Sequence, residues 1–473
     1  LRFDSRTLQP GDVFIALKSA DYPRLRGRAD ADGHNYVLAA LAKGAVGAIV
    51  ERIPDGISAD DPRLVVMPST YQALIDIGTV ARNRFNGPVI GITGSVGKTS
   101  TREMMACAFS AFGATHASEE NYNNIQGVPY TLANIPLNAD YAIIEMGMDC
   151  PGELTPLTHM TRPTIAVITT VAPAHMANFE NGLDGIADAK SEIFLGLAPG
   201  GTAIINRDMS TFARVFGNAR TAGVAHIHTF GEHADADARL IQCVEARNGT
   251  QVTAKIMDET VSFNIPAGKH QAMNAMSVLL AVKISGLSVA RAAKTLGAFT
   301  AIEGRGREEP LNIGDPNNPV ILIDESYNAS PAAMNAAFRV VALIDPGRGG
   351  RRIAVLGDML ELGPQGPKLH ADLALPIRAA NIDLVYTCGP LMKHLHDTLP
   401  ANTRGAHRDT SSELAQIVPD VLVPGDVVVV KGSKSSRMDI VVEALRALPA
   451  RKASAAHHTH LTDQPKEDTR HVL

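Results

Sequence analysis

Residues 91–104 read GITGSVGKTSTREM, and they hold the groups best suited to gripping a phosphate. Gly94, Ser95, Val96 and Gly97 can turn backbone N–H groups toward phosphate oxygens where a helix begins, and the helix N-terminus adds partial positive charge there. Lys98 would sit on the outer phosphates, Thr99 would reach a Mg2+ ion through its hydroxyl, and Ser100 completes the loop. The spacing is unusual. Counting back from Gly97-Lys98-Thr99, the leading glycine of the general phosphate loop falls on Ile92, whereas the glycines are Gly91 and Gly94. A glycine-rich turn before an ordinary helix is the bland alternative, but an apolar strand, G-x-x-G-K-T and a helical pattern follow in the order that phosphate binding requires.

Other positions could act on the same phosphate. Glu145 ends the apolar run IIEMG, where a buried carboxylate without a partner is costly and a nearby metal would supply one. His175, in TTVAPAHM, reads alone as a histidine satisfied by backbone, but its place past a third strand end favours a role in the site. Lys190, in GIADAKSEIF, reads from spacing as a surface lysine on an amphipathic helix. Arg305 and Arg307 lie in the glycine-rich junction AIEGRGREEP, either as hinge arginines that reach a phosphate on closure or as a charged linker. Lys431 and Lys434, in VKGSKSSRMD, combine a strand end with a helix start; an anion site and solvated loop charges are the competing readings.

The elements that must position these groups fall into three blocks. Residues 1–87 open with the strand-like DVFIAL after the turn QPGD, then a helix stopping at Gly44 and the buried strand VGAIV, with RNRFNGP at 82–88 as a linker. Residues 88–307 begin with VIGIT, the phosphate loop and a helix from Thr99. YAIIEMG, TIAVITTV and GTAIINRD follow as buried strands, and helical patterns between them imply parallel crossovers. Segment 221–265 alternates and reads as an antiparallel flank, before a helix ending at Gly286. Residues 308–451 repeat the alternation in VILIDESY, RRIAVLGDM, LVYTCG and DVVVVKGS, a second open parallel sheet. Residues 452–473 have no period and read as a disordered tail whose His457, His458 and His460 are solvated rather than chelating.

The 473 residues supply core for two to four domains, and the composition is that of a soluble α/β enzyme. Without Trp, the cores should be built on Ala, Val, Leu and Ile. A net charge of −5 leaves no basic excess for nucleic acid, and no run is long and apolar enough to span a membrane. Cys107, Cys150, Cys243 and Cys388 lie far apart, which points to buried reduced thiols and a cytoplasmic compartment.

Taken together these segments resemble the Mur ligase family. Its members carry a G-x-T-G-x-x-G-K-[ST] loop like the one here. DSRTLQPGDVFIAL with DGHNYVLAALAKGA is similar to the family's uridine-nucleotide domain, NYNNIQGVPYTL to its asparagine-rich stretch, and IIEMGM, TTVAPAHM and ADAKSEIF follow in family order. LGDMLELG with His370, and VVVVKGSKSSRMD, resemble the members that add D-alanyl-D-alanine, and no D-N-P-R motif is present. Departures fall at Glu120, where glycine is frequent, and at Gln271, Glu325 and Ser330. The chain starts close to DSR, so the uridine-binding domain is expected to be short at its N-terminus.

The resemblance implies a three-domain α/β architecture with a central P-loop ATPase-type parallel sheet and a C-terminal Rossmann-like domain. It implies an ADP-forming ligase that adds D-Ala-D-Ala to UDP-N-acetylmuramoyl-tripeptide through an acyl phosphate, in cytoplasmic peptidoglycan precursor synthesis. A paralogue joining another carboxylate and amine, and a silent nucleotide-binding scaffold, are the alternatives. By analogy Thr99 and Glu145 bind the Mg2+ on ATP, Glu145 and His175 help hold a second, and Lys190 is the lysine that CO2 carbamylates. Asn274, Asp324 and Asn328 match nucleotide-contacting positions, and Arg305 the arginine that approaches the phosphates. Ser5, Arg6, Asn123, Asn124, Lys431 and Ser433 match substrate positions, and a monomer is expected.

Overall fold

The computed structural model describes residues 1–19, 32–173, 176–247, 249–300 and 303–448. His175, residues 20–31 and the tail from 452 lie outside the described residues.

Three sheets carry the chain. The first is parallel, in the order β1 (Val13–Ile15), β2 (Gly47–Val50), β3 (Leu64–Val66). Gly44, at φ 99, ends the helix Val37–Ala42 between β1 and β2. In the DGH motif, His34 donates from Nδ1 to Asp32 at 2.6 Å and accepts the Glu51 N–H on Nε2 at 2.8 Å, which ties the start of that helix to the end of β2.

The second sheet contains β4 (Val89–Thr93), β5 (Thr115–Ala117), β6 (Tyr141–Glu145), β7 (Ile165–Ile168), β8 (Thr202–Asn206), β9 (His226–Gly231), β10 (Ala238–Ala246), β11 (Gly249–Ile256) and β12 (Glu259–Ile265). Its order is β12-β11-β10-β9-β8-β7-β4-β6-β5. β4 lies between β6 and β7 because the chain crosses to one side for β5 and β6 and returns to the other for β7, so the loop after β4 opens at a topological switch point. Ile90 and Ile92 pack on Met105 and Phe109 on one face, and Val89 joins Leu132, Ile168 and Ile193 on the other. This two-sided burial is why β4 reads as an unbroken apolar run. The antiparallel flank expected over 221–265 begins only at the β10–β11 pair, since β9 adds parallel to β8 after the crossover helix Phe212–Thr221.

The third sheet runs β13-β14-β18-β15-β16-β17, with β13 (Arg307–Leu311), β14 (Val320–Glu325), β15 (Arg352–Gly357), β16 (Leu384–Cys388), β17 (Arg404–Arg408) and β18 (Val427–Lys431). Its pairs are parallel except β13–β14. The open parallel sheet expected here therefore carries one antiparallel edge strand. Edge strands β13 and β17 went unseen because they are only half buried and polar in sequence.

The linker expected at 82–88 is shorter. The helix Thr70–Arg84 runs into it, and Arg82 is buried. Its guanidinium donates to the carbonyls of Thr161 at 2.6 Å, Arg162 at 2.8 Å and Phe85 at 3.0 Å. Helix ends leave such carbonyls unpaired, and a cation there also suits the negative end of the dipole. A residue that reads as linker charge is thus a rivet between the first block and the helix Leu154–Thr161. Among the described residues no helix is long and apolar enough to cross a membrane.

Candidate active site

The displaced glycine is explained by packing. Gly91 lies inside β4, where a Cβ would stand 2.7 Å from Met146 Cε, and Ile92 faces the core, so the loop proper starts at Gly94. Gly94 has φ 153, and a Cβ there would lie 1.9 Å from Thr169 Oγ1. Gly97, at φ 87, caps the helix Lys98–Ser110 without a side-chain bond, and a Cβ there would meet Asn274 Oδ1 at 2.8 Å. The first N–H groups of that helix are therefore left for an anion. Ser95 binds both backbone groups of the next loop: its N–H donates to Thr170 O at 2.8 Å, and its Oγ pairs with Ala172 O and N at 3.0 Å. Thr169 Oγ1 donates to Val96 O at 2.6 Å. Lys98 Nζ donates to Gly94 O at 2.7 Å, and Ser100 lies in the first turn of the helix.

Glu145 is 1 % exposed. Its Oε1 accepts from Asn123 Nδ2 at 2.7 Å and from Thr99 Oγ1 at 3.3 Å. Among the described residues its Oε2 accepts no hydrogen bond, although Arg102 Nη1 stands 3.5 Å away and partly offsets its charge. An orphaned carboxylate oxygen beside a threonine hydroxyl is the hard-oxygen donor set that fits Mg2+. Arg102 escaped sequence reasoning because it reads as an ordinary helical arginine; its place one turn after Thr99, on the same buried face, was the available signal.

Lys190 is 2 % exposed, which overturns the surface reading. Its helix, Gly182–Ser191, turns that side chain inward, and among the described residues Nζ has no hydrogen-bond or ion-pair partner. Burial holds its ammonium well below the usual lysine value, the Lys98 charge pushes the same way, and Asp149 opposes both. Burial also lowers Lys98, with Glu145 raising it, Arg305 lowering it and Asp149 raising it. Lys98 thus feels charge from the end of β6 and from the turn that leads into β13.

Arg305 is not in a free linker. Flanked by Gly304 at φ 74 and Gly306 at φ 93, it lays its guanidinium 4.0 Å over the Tyr327 ring. The backbone of that turn is held by Asp324: Gly304 N–H donates to Oδ2 at 3.1 Å and Gly306 N–H to the carbonyl at 2.8 Å. Asp324 also accepts from Ser326 Oγ at 2.7 Å and Arg446 at 3.2 Å, so its carboxylate is fully engaged within the chain. A cleft of about 300 Å3 beside the turn is lined by Glu303, Tyr327, Lys434, Arg437 and Arg446. Arg307 is exposed and pairs with Glu309 at 3.6 Å.

The positions assigned to substrate are more scattered. Arg6 is exposed and clasps Asp4 at 2.6 Å, beside half-buried Ser5. Asn123 belongs to the Glu145 cluster, whereas Asn124 Oδ1 accepts from the N–H groups of Gln126 and Gly127 to start the helix Gly127–Ala133. Lys431 is buried, not solvated: its Nζ donates to Glu325 Oε2 at 2.8 Å and to the Asn328 carbonyl at 2.9 Å. Ser433 Oγ accepts the Leu360 N–H at 2.9 Å. His370 is fully buried, accepts the Met359 N–H at 2.9 Å and donates to Gly366 O at 2.6 Å, tying LGDMLELG to the helix Gly366–Ala371. The fold thus gathers Lys98, Thr99, Asn123, Glu145, Lys190, Asn274 and Arg305 near the ends of β4 and β6. Among the described residues no hydrogen bond or ion pair joins Ser5, Arg6, Lys431 or Ser433 to that group.

Comparison with known proteins extends this beyond the loop. The Mur ligase middle domain matches residues 92–282, and the Mur ligase, glutamate ligase domain matches residues 307–434. The chain is 30% identical over 444 residues to the UDP-N-acetylmuramoyl-tripeptide–D-alanyl-D-alanine ligase of Rickettsia prowazekii, spanning 94% of each chain. A crystal structure of MurF from Acinetobacter baumannii is similar at a TM-score of 0.78 and 27% identity, over 94% of this chain and 92% of that one. The MurF ligase of Thermotoga maritima, solved in complex with ADP, shares the fold at a TM-score of 0.75 and 22% identity, over 95% and 98%. Likeness that starts within β4, runs past β18 and holds over nearly the full length of these proteins leaves one assignment: the chain belongs to the Mur ligase family.

Proposed function

We propose that the chain is an ADP-forming ligase that joins D-alanyl-D-alanine to UDP-N-acetylmuramoyl-tripeptide in cytoplasmic peptidoglycan precursor synthesis. The observation that supports it best is the meeting of Lys98, Glu145 and Arg305 at one sheet end, in a chain whose near-full-length relatives bear that name. Domains bounded near 87/88 and 307/308 would each hold one of the three sheets, and the chain would act as a monomer.

The tripeptide's terminal carboxylate oxygen attacks the γ-phosphorus of ATP, the bond to the β–γ bridging oxygen breaks, and ADP leaves. The amine of D-Ala-D-Ala then attacks the acyl carbon, phosphate departs with the C–O electron pair, and the amine loses its proton to water. No protein nucleophile is required. The work of the side chains is to hold negative groups together, with Lys98 on the γ-phosphate and Arg305 approaching it. Asn274 against Gly97, with Asp324 and Asn328, would border the nucleotide. Ser5, Arg6, Asn123, Asn124, Lys431 and Ser433 would meet the other substrates, the engaged ones by exchanging partners on domain closure. Thr99 and Glu145 would hold one Mg2+, and Glu145, His175 and carbamylated Lys190 a second; bound there, the ions would offset charge on the phosphates. Carbamylation forms a bond from the neutral Nζ to the carbon of CO2, moves one C=O pair onto oxygen and releases a proton. The buried, depressed Lys190 amine is suited to that step.

Phosphate release from Mg-ATP, measured with the UDP-tripeptide and with or without D-Ala-D-Ala, tests the reading. Release that needs both substrates, with the UDP-pentapeptide found by mass, is the expected result. ATP binding that neither substrate converts to turnover would reject it.

A further inference from the structure

Lys190 is followed closely by Glu192, the residue at which its helix ends. Glu192 reaches across to another segment. Its Oε1 accepts the Gly152 N–H at 2.7 Å, and its Oε2 accepts the Thr155 N–H at 3.0 Å and the Thr155 hydroxyl at 2.9 Å. Those donors belong to the loop that descends from Glu145 at the end of β6, and to the first turn of the helix Leu154–Thr161. A carboxylate at that turn satisfies N–H groups that the helix leaves unpaired and suits its positive end. The loop is braced from within as well, since Glu153 accepts the N–H groups of Asp149 at 2.8 Å and Cys150 at 3.2 Å. One turn further on, Thr158 Oγ1 donates to Ile193 O at 2.7 Å, and Gly196 packs so closely that a Cβ would lie 2.3 Å from the Thr158 carbonyl carbon.

The segments carrying Lys190 and following Glu145 are therefore clamped at two levels. Lys190 Nζ has no bond of its own among the described residues, so its place depends on the backbone that carries it. We infer that Glu192 is a positioning residue, which sets the Lys190 helix end against the loop from Glu145 so that both side chains face one cation. The inference rests on the reading of Lys190 as a carbamylated lysine.

The test uses the full chain with 13C-bicarbonate and no substrates, following the lysine carbamate signal by 13C NMR as bicarbonate is raised, with Lys190→Ala to assign it. Glu192→Gln turns an amide donor toward N–H donors and should raise the half-occupancy bicarbonate concentration about tenfold. Thr155→Val keeps the carboxylate, removes one of three donors and should shift it about threefold, which preserves the test if Glu192→Gln fails to fold. In turnover, Glu192→Gln should lower kcat about tenfold with KM for ATP within about twofold, and added bicarbonate should restore part of kcat. A merely structural role would not produce that bicarbonate rescue. Unchanged midpoints and kcat in the folded variants would overturn the inference. A wild type with no carbamate signal would overturn it together with the lysine reading. A wild type with the signal but no ligase turnover would reject the proposed function while the NMR comparison still decides Glu192.

Discussion

Thr169 Oγ1 stands 2.6 Å from the Val96 carbonyl oxygen, and this bond holds the middle of the phosphate loop against the chain just past β7. The same hydroxyl fills the space a Gly94 side chain would need. Thr169→Val keeps the shape and removes the bond. It should raise KM for ATP several-fold while costing about 1 kcal/mol of stability. Gly94→Ala adds a clash and a disfavoured φ, and should abolish nucleotide binding or destabilise by roughly 3 kcal/mol. Equilibrium binding of a nonhydrolysable ATP analogue, alongside urea unfolding, reads both. Wild-type binding by Gly94→Ala would refute the cradle.

Lys190→Ala should abolish turnover yet leave ATP-analogue binding within about threefold, because the residue is proposed to act as a carbamate rather than as a phosphate contact. A short carboxylic acid should restore part of the rate. Wild-type rates without added acid would sink the carbamate idea.

Acid should destabilise the fold earlier than the carboxylates alone would allow. Burial holds the His370 and His116 rings below the ordinary histidine value. Below about pH 6.5 the unfolded chain takes up protons on these rings before the folded chain does. Stability present above that value is therefore lost as pH falls toward the folded values. Thermal midpoints measured from pH 7.5 to 5.5 should decline steadily, and a flat profile would count against neutral burial.

Glu120 adopts φ 42, a left-handed conformation that favours glycine, and Arg102 donates to its carbonyl. Glu120→Gly relieves the strain at the expense of a looser unfolded chain, for a net gain of about 0.5 kcal/mol. Urea midpoints for Glu120→Gly and Glu120→Ala should separate, with glycine the more stable. The reverse order would show that the side chain matters more than the backbone.

Much of the framework was legible in the sequence. β4, β6, β7 and β8 are buried on both faces, so they appear as continuous apolar runs, and Gly94 and Gly97 mark a turn that only glycine adopts. β3, β13 and β17 lie at sheet edges, where half exposure erases the pattern. The site was legible only in part. Glu145 and Lys98 stand next to such signals. The partners that hold them do not, because Thr169, Arg102 and Glu192 resemble ordinary polar residues of their own elements.

The sequence by itself determined which reactive groups the chain carries and the local backbone at each, since propensity, apolar period and glycine placement act over a few residues. Tertiary structure decided which groups face one another. It buried Lys190, gave Lys431 to Glu325 and turned Arg82 into a rivet. Burial, charge and hydrogen bonding depend on distance in space, and the crossovers that return β6 and β7 to either side of β4 set those distances with no local signature.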